Sequence, residues 1–142
     1  MIKEEGWTWK DELEKLEAFR VKKERHGFYT DLARHLGCTR QQAHYMMTKQ
    51  ENISFVDYRK ILDFCGKVLV VDGVPLDPLE GGADVSNRLM KKYGVKQNEL
   101  AEAKGVSPQT ICKMLKKGNL FKASTVYGIA KFCGAEITIA DK

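Results

Sequence analysis

The chain has 142 residues, 43% of them apolar, enough to bury a core as one medium domain or two small ones and unlike the composition of a disordered segment. Its 24 Lys and Arg against 19 Asp and Glu leave a net charge of +5, a mild excess that suits a polyanionic partner without requiring one. No apolar run approaches the roughly 20 residues of a membrane span, and Met1 to Lys10 lack the apolar stretch of a signal peptide, so a cytoplasmic protein without a membrane partner is expected.

In chain order, Thr8 and Asp11 have the spacing of a helix cap, and Trp9, Leu13 and Leu16 recur on one helical face. A helix from about Trp9 to Arg25 is predicted, ended by Gly27. Helices then run from about Thr30 to Leu36, from Arg40 to Lys49, and from Phe55 to Phe64, the last capped by Ser54 with Asp57 three residues on. Val68 to Val71 reads as a strand, and Asp72-Gly73 ahead of Val74-Pro75-Leu76 is a hairpin signal. Pro75, Pro78 and Gly81-Gly82 mark a linker.

The series then repeats. Asp84 can cap a helix reaching Tyr93, with Gly94 as a left-handed terminator. A short helix spans about Gln97 to Lys104, and Gly105-Val106 turns the chain. Ser107 caps the next helix, whose first position, Pro108, needs no N–H, and which runs to about Lys117. After Gly118-Asn119 a helix covers about Ala123 to Phe132 and stops at Gly134, and Glu136 to Ile139 alternates as a strand does.

Shifting the chain by 68 residues makes the duplication explicit: Leu32-Ala33 falls on Leu100-Ala101, Gly37 on Gly105, Gln41 on Gln109, Met46 on Met114, Lys49 on Lys117, Ile61 on Ile129, and Phe64-Cys65-Gly66 on Phe132-Cys133-Gly134. These are ten identities in one ungapped register of 35 residues. Upstream, matching Gly27 with Gly94 makes the first copy one residue shorter. The reading is mainly α: two tandem four-helix units, each followed by a short strand. Residues 1–73 form the first, with an extended N-terminal helix, residues 74–83 the linker, and residues 84–142 the second.

The segment Gln97-Asn98-Glu99-Leu100-Ala101-Glu102-Ala103-Lys104-Gly105-Val106-Ser107-Pro108-Gln109-Thr110-Ile111 resembles the helix-turn-helix of the lambda-repressor-like (Cro/repressor, XRE-type) family. Ala101 stands where two helices cross, Gly105 supplies the turn, and Val106 with Ile111 is expected to pack the helices together. The resemblance implies a second helix that enters a major groove about 12 Å wide. It makes Ser107, Gln109, Thr110 and Lys113 the base-reading set, and Gln97 a phosphate contact. Gln can pair bidentately with adenine and Lys can reach guanine. In the first copy the corresponding outward positions hold Arg40, Gln41, Gln42, His44 and Tyr45, with Arg40 as the guanine reader. There Tyr29 replaces the phosphate-binding Gln and Ala43 the apolar β-branched residue, departures that leave its docking pose open. Residues 84–134 carry a balance of +7 against +3 for residues 16–66, so the second copy is expected to anchor the complex electrostatically. Lys116, Lys117 and Lys122 are its phosphate candidates, and Lys49 is the counterpart of Lys117.

The expectation is a sequence-specific regulator of double-stranded DNA, a repressor, whose two units imitate a dimer within one chain. A homodimer is left open by sequence, as is pairing of the two strands within or between chains. A protein-interaction module of the phage or plasmid inhibitor or antitoxin kind, or an RNA binder, would use the same fold. No paired nucleophile and base, phosphate loop or metal spacing is present, so neither enzyme activity nor a cofactor is expected. Cys38, Cys65, Cys112 and Cys133 are read as small core residues. Trp7, Trp9, Phe19, Phe28, Met46 and Met47 are read as packing, and Asp11, Glu12, Glu14 and Glu17 as an outer acidic face.

Overall fold

The computed structural model describes residues 8–48, 53–77, 79–116 and 121–142. Among them the element order is α1 (Trp9–Glu14), α2 (Glu17–Glu24), α3 (Phe28–Leu36), α4 (Arg40–Thr48), α5 (Phe55–Phe64), β1 (Lys67–Val71), β2 (Val74–Pro75), α6 (Gly82–Tyr93), α7 (Gln97–Lys104), α8 (Pro108–Met114), α9 (Ala123–Cys133) and β3 (Ile137–Asp141). The protein is thus mainly helical with a small three-stranded sheet. No described helix is long and apolar enough to cross a membrane.

The long opening helix expected from Trp9 to Arg25 is two helices. Leu16 is extended (φ −90°, ψ 118°), its N–H reaches Leu13 O at 2.9 Å, and Arg20 Nη1 donates to Glu14 O at 2.6 Å, satisfying a carbonyl that the break frees. The break has a packing reason. On a continuous helix Leu13 and Phe19, six residues apart, would point about 120° from each other. The bend at Leu16 brings both into the core, at 0% and 1% exposure. Elsewhere local signals set the bounds. Ser54 Oγ accepts from Asp57 N at 3.1 Å at the start of α5, and α7 spans the residues its flanking signals predict. The helix expected to reach Lys117 ends at Met114, and Lys117 itself, with Lys49, Trp7, Pro78 and Gly118-Asn119, lies outside the described residues.

Asp72 (φ 51°) and Gly73 (φ 81°) make the tight turn that pairs Val71 with Val74, and the stretch expected as linker holds β2 and the start of α6. The larger ladder joins β1 to β3, so the two strands pair within the chain. Val70 faces Thr138, its own counterpart at the 68-residue offset, while Leu69 faces Ile139 and Val71 faces Ile137. Read from either strand, the ladder is the same.

A second contact obeys the same rule. Ser54 bridges Lys122, again its counterpart, with Phe55 N donating to Phe121 O at 2.7 Å and Ala123 N to Ile53 O at 2.9 Å. Each of these two separate backbone contacts is centred on a pair of equivalent residues, as an internal twofold axis requires. Beside it, Tyr58 and Tyr127 share a hydrogen bond of 3.1 Å between hydroxyls, with rings edge to face at 6.0 Å. Burial pushes the Tyr127 phenol up to about 12 and Tyr58 further still, so both are neutral donors and acceptors. Apolar residues from Trp9 to Cys133 form one contiguous core across the axis.

Candidate nucleic-acid interface

Two helix pairs, α3–α4 and α7–α8, carry the residues predicted to read DNA. Each pair turns in the same way. At Gly105 (φ 72°) the backbone is left-handed, Gly105 N bonds Glu102 O at 3.2 Å and Val106 N bonds Ala101 O at 3.0 Å. At Gly37 (φ 74°) Cys38 N bonds Ala33 O at 3.0 Å. Such a turn closes the free carbonyls of the first helix and needs a residue without a Cβ penalty. Ala33 and Ala101 are buried behind these turns, and Leu100, Ile111 and Leu115 fill the interior of the second pair. Val106, expected to pack against Ile111, is instead 40% exposed, although Cys38 after the equivalent turn is half-buried against the core.

The starts of α4 and α8 explain three of the predicted readers. Thr39 Oγ1 accepts from Gln42 N at 3.1 Å, while Gln42 Oε1 accepts from Thr39 N at 2.9 Å, a reciprocal cap. In α8, Ser107 Oγ accepts from Thr110 N at 3.2 Å and lies 2.9 Å from Thr110 Oγ1. Gln42 and Thr110 are counterparts, and so are Thr39 and Ser107. The side chains of Gln42, Ser107 and Thr110 therefore hold the helix starts together. Arg40, Gln41, His44 and Tyr45 on α4, and Gln109 and Lys113 on α8, are exposed, Tyr45 to 64%.

Of the phosphate candidates, Gln97, Lys116 and Lys122 are exposed, and Lys122 stands on the internal axis at its bridge to Ser54. Tyr29 is half-buried. Its ring lies 5.1 Å from that of Phe28 and 4.7 Å from that of His44, so it joins α3 to α4 where Gln97 stays in solvent. Lys49 and Lys117 lie outside the described residues.

The other sequence expectations divide. Trp9, Phe19, Phe28 and Met47 are core, and Met46 is half-buried against it. Cys65 and Cys133 are buried, which pushes their thiols up, but Cys112, expected in the core, is exposed on α8 because Ile111 takes the inward position. Asp11, Glu14 and Glu17 are exposed, and Glu12 is half-buried within the electrostatic reach of the Tyr58–Tyr127 pair. No group of three or more metal-ligating side chains occurs among the described residues.

Two elements of the frame have no sequence signal. Asn87 Nδ2 donates to Ala83 O and to Leu115 O, both at 2.9 Å, tying α6 to the end of α8. Asp72 accepts from Glu136 N at 2.9 Å through Oδ1, and from Lys92 Nζ at 2.8 Å and Tyr93 OH at 2.6 Å through Oδ2. These bonds, the one from the Glu136 amide above all, hold the Asp72 carboxyl far below the usual carboxylate range. A depressed folded-state pKa means the contribution is complete above the ordinary Asp value of about 4 and is lost as pH falls below it. The stability difference between wild type and Asp72→Asn, from urea unfolding at a series of pH values, is therefore expected to be largest near neutrality and to shrink below about pH 4. No family model matches the chain, and neither does any curated protein or solved structure.

Proposed function

We propose that the protein is a cytoplasmic, non-enzymatic regulator that binds double-stranded DNA through two tandem helix-turn-helix units of the lambda-repressor-like kind, as a repressor. The observation that carries this reading is the internal twofold relation. DNA offers two pseudo-equivalent half-sites to any protein with a twofold axis, and two helices that share that axis can enter successive major grooves about 34 Å apart. In this chain β1–β3 and the Ser54–Lys122 bridge supply the axis, and α4 and α8 present exposed polar faces. Arg40, Gln41 and His44 in one unit and Gln109 and Lys113 in the other, all exposed, would reach base edges. Ser107, Gln42 and Thr110, the other predicted readers, also fix the helix starts. Lys116, Lys122 and Gln97 supply phosphate contacts, with Lys49 and Lys117 as further candidates. The units read different bases at their first turns, since Arg40 stands where the second has Pro108, so the operator is expected to be asymmetric.

Random-site selection followed by a salt titration on the selected duplex tests this. The expected slope of log K against log salt corresponds to more than about three phosphates, while a shallower slope would show that both units do not dock. A protein partner at α4 is the second reading. It is favoured by Tyr45, which exposes an aromatic ring beside the Tyr29–His44 contact. Selection that recovers only a half-site for α8, with a stoichiometric protein retained by the α4 face, would establish it.

A further inference from the structure

One contact that ties the two copies together has no counterpart across the internal twofold. Asp72, at the tip of the β1–β2 hairpin, reaches Lys92 and Tyr93, the last two residues of α6, and also the first backbone amide before β3. Its counterpart across the axis is Ala140, which has no acceptor side chain. The counterparts of Lys92 and Tyr93, aligned on Gly27 and Gly94, are Arg25 and His26. The equivalent contact on the other side of the axis therefore cannot form.

The position of this one-sided contact matters for the second reading unit. Gly94 ends α6 in a left-handed turn and α7 begins at Gln97, so the anchored residues lie immediately ahead of that unit. The hairpin that holds them belongs to the first copy, being continuous with α5 through β1. Asp72 thus connects the frame of one reading helix to the entrance of the other by two charge-assisted hydrogen bonds to α6, over and above the ladder that both copies share.

We infer that Asp72, Lys92 and Tyr93 are positioning residues that fix the separation and rotation of α4 relative to α8, and so set which half-site spacing the protein accepts. This inference rests on the proposed DNA-binding reading for its consequence, but the clamp itself can be measured without DNA. One base pair added between half-sites moves the second by about 3.4 Å and turns it by about 35°. A rigid pair of reading helices cannot follow that displacement. A loosened pair can.

The test uses the full chain and the double substitution Lys92→Ala/Tyr93→Phe. Both residues are exposed, and the Asp72 turn with its bond to Glu136 N is left in place. Spin labels on Cys112 and on Thr48→Cys, in a Cys38→Ser background, report the α4–α8 distance, since Cys65 and Cys133 are buried. The expected result is one narrow distance distribution in the parent and a broadened one in the double variant. On duplexes whose selected half-sites are moved one base pair closer or further apart, the parent is expected to lose at least about tenfold in affinity, and the double variant less than about threefold. Asp72→Asn, which can keep the bond to Glu136 N but loses the charge that holds Lys92, should behave as the double variant does. An unchanged distance distribution in the variants would overturn the clamp, and a broadened one with the parental spacing preference would overturn its role in site selection. If the parent binds no duplex at all, the proposed function fails, while the distance measurement still decides the clamp.

Discussion

Replacing Phe55 by Ala is expected to lower the unfolding free energy by about 3–5 kcal/mol, a large fraction of the total for a chain of this size. Phe55 is 1% exposed, and its own N–H donates across the internal axis to Phe121 O at 2.7 Å. Truncation leaves a cavity beside the contact that joins the two copies. The loss should be felt by both, because the buried apolar residues form one cluster from Trp9 to Cys133. Urea unfolding followed by tryptophan fluorescence and by far-ultraviolet circular dichroism distinguishes this from a local effect. Both tryptophans of the chain, Trp7 and Trp9, lie near its start, so fluorescence follows the first copy, whereas the dichroism follows all helices. Coincident transitions at a lower midpoint are expected. A dichroism transition that persists at the parental midpoint after the fluorescence has changed would show two independent cores.

The second large effect concerns reading. Arg40→Ala should weaken binding to the selected site by roughly 10- to 100-fold, equivalent to about 1–3 kcal/mol, and repeated selection with the variant should lose base preference at one position of one half-site. Arg40 is exposed at the first residue of α4, while its counterpart Pro108 has no polar side chain. The matched control is Lys116→Ala, just beyond the end of α8. It should weaken all sequences alike and make the salt dependence shallower by about one phosphate equivalent. Identical selection profiles for the two variants would remove the division between a base reader and a phosphate contact.

Several parts of this structure are legible from local sequence because their causes are local. Ser54 with Asp57 starts α5, Ser107 with Pro108 starts α8, and Gly94, Gly105 and Gly134 stop helices where a left-handed residue is needed. The caps formed by Thr39 with Gln42, and by Ser107 with Thr110, are equally readable from their spacing of three. The resemblance to a DNA-reading helix assigns Gln42 and Thr110 to base reading, and one oxygen of each is also engaged at its helix start. The break at Leu16 cannot be read locally. Trp9, Leu13 and Leu16 fit an unbroken helix well, and only the need to bury Phe19 in the same core as Leu13 bends it. Val106 and Cys112 are misplaced by sequence for a related reason: a spacing pattern identifies an apolar side chain but not which neighbour takes the inward position.

Long-range polar contacts leave no pattern at all. Asn87 reaches Leu115 O across 28 positions and Asp72 reaches Glu136 N across 64, and nothing around either residue announces its partner. The β1–β3 register is an instructive intermediate. Neither strand specifies it alone, yet the duplication contains it, because a twofold arrangement of two equal strands must pair some residue with its own copy. Val70 and Thr138 are that pair.

Carrying both halves of a twofold in one chain has a consequence for dosage. A regulator that assembles from two separate molecules before binding gains occupancy steeply with concentration in the range where it is mostly monomeric, since the active species depends on the square of the amount present. A protein whose halves are paired within the chain, here by β1 and β3, never dissociates on dilution. For a DNA-binding protein of the kind proposed, occupancy would rise only with the first power of its amount. The fusion exchanges a sharp threshold for function at low copy number. In such a DNA-binding protein it would also free each half to change its reading helix without having to suit a partner identical to itself.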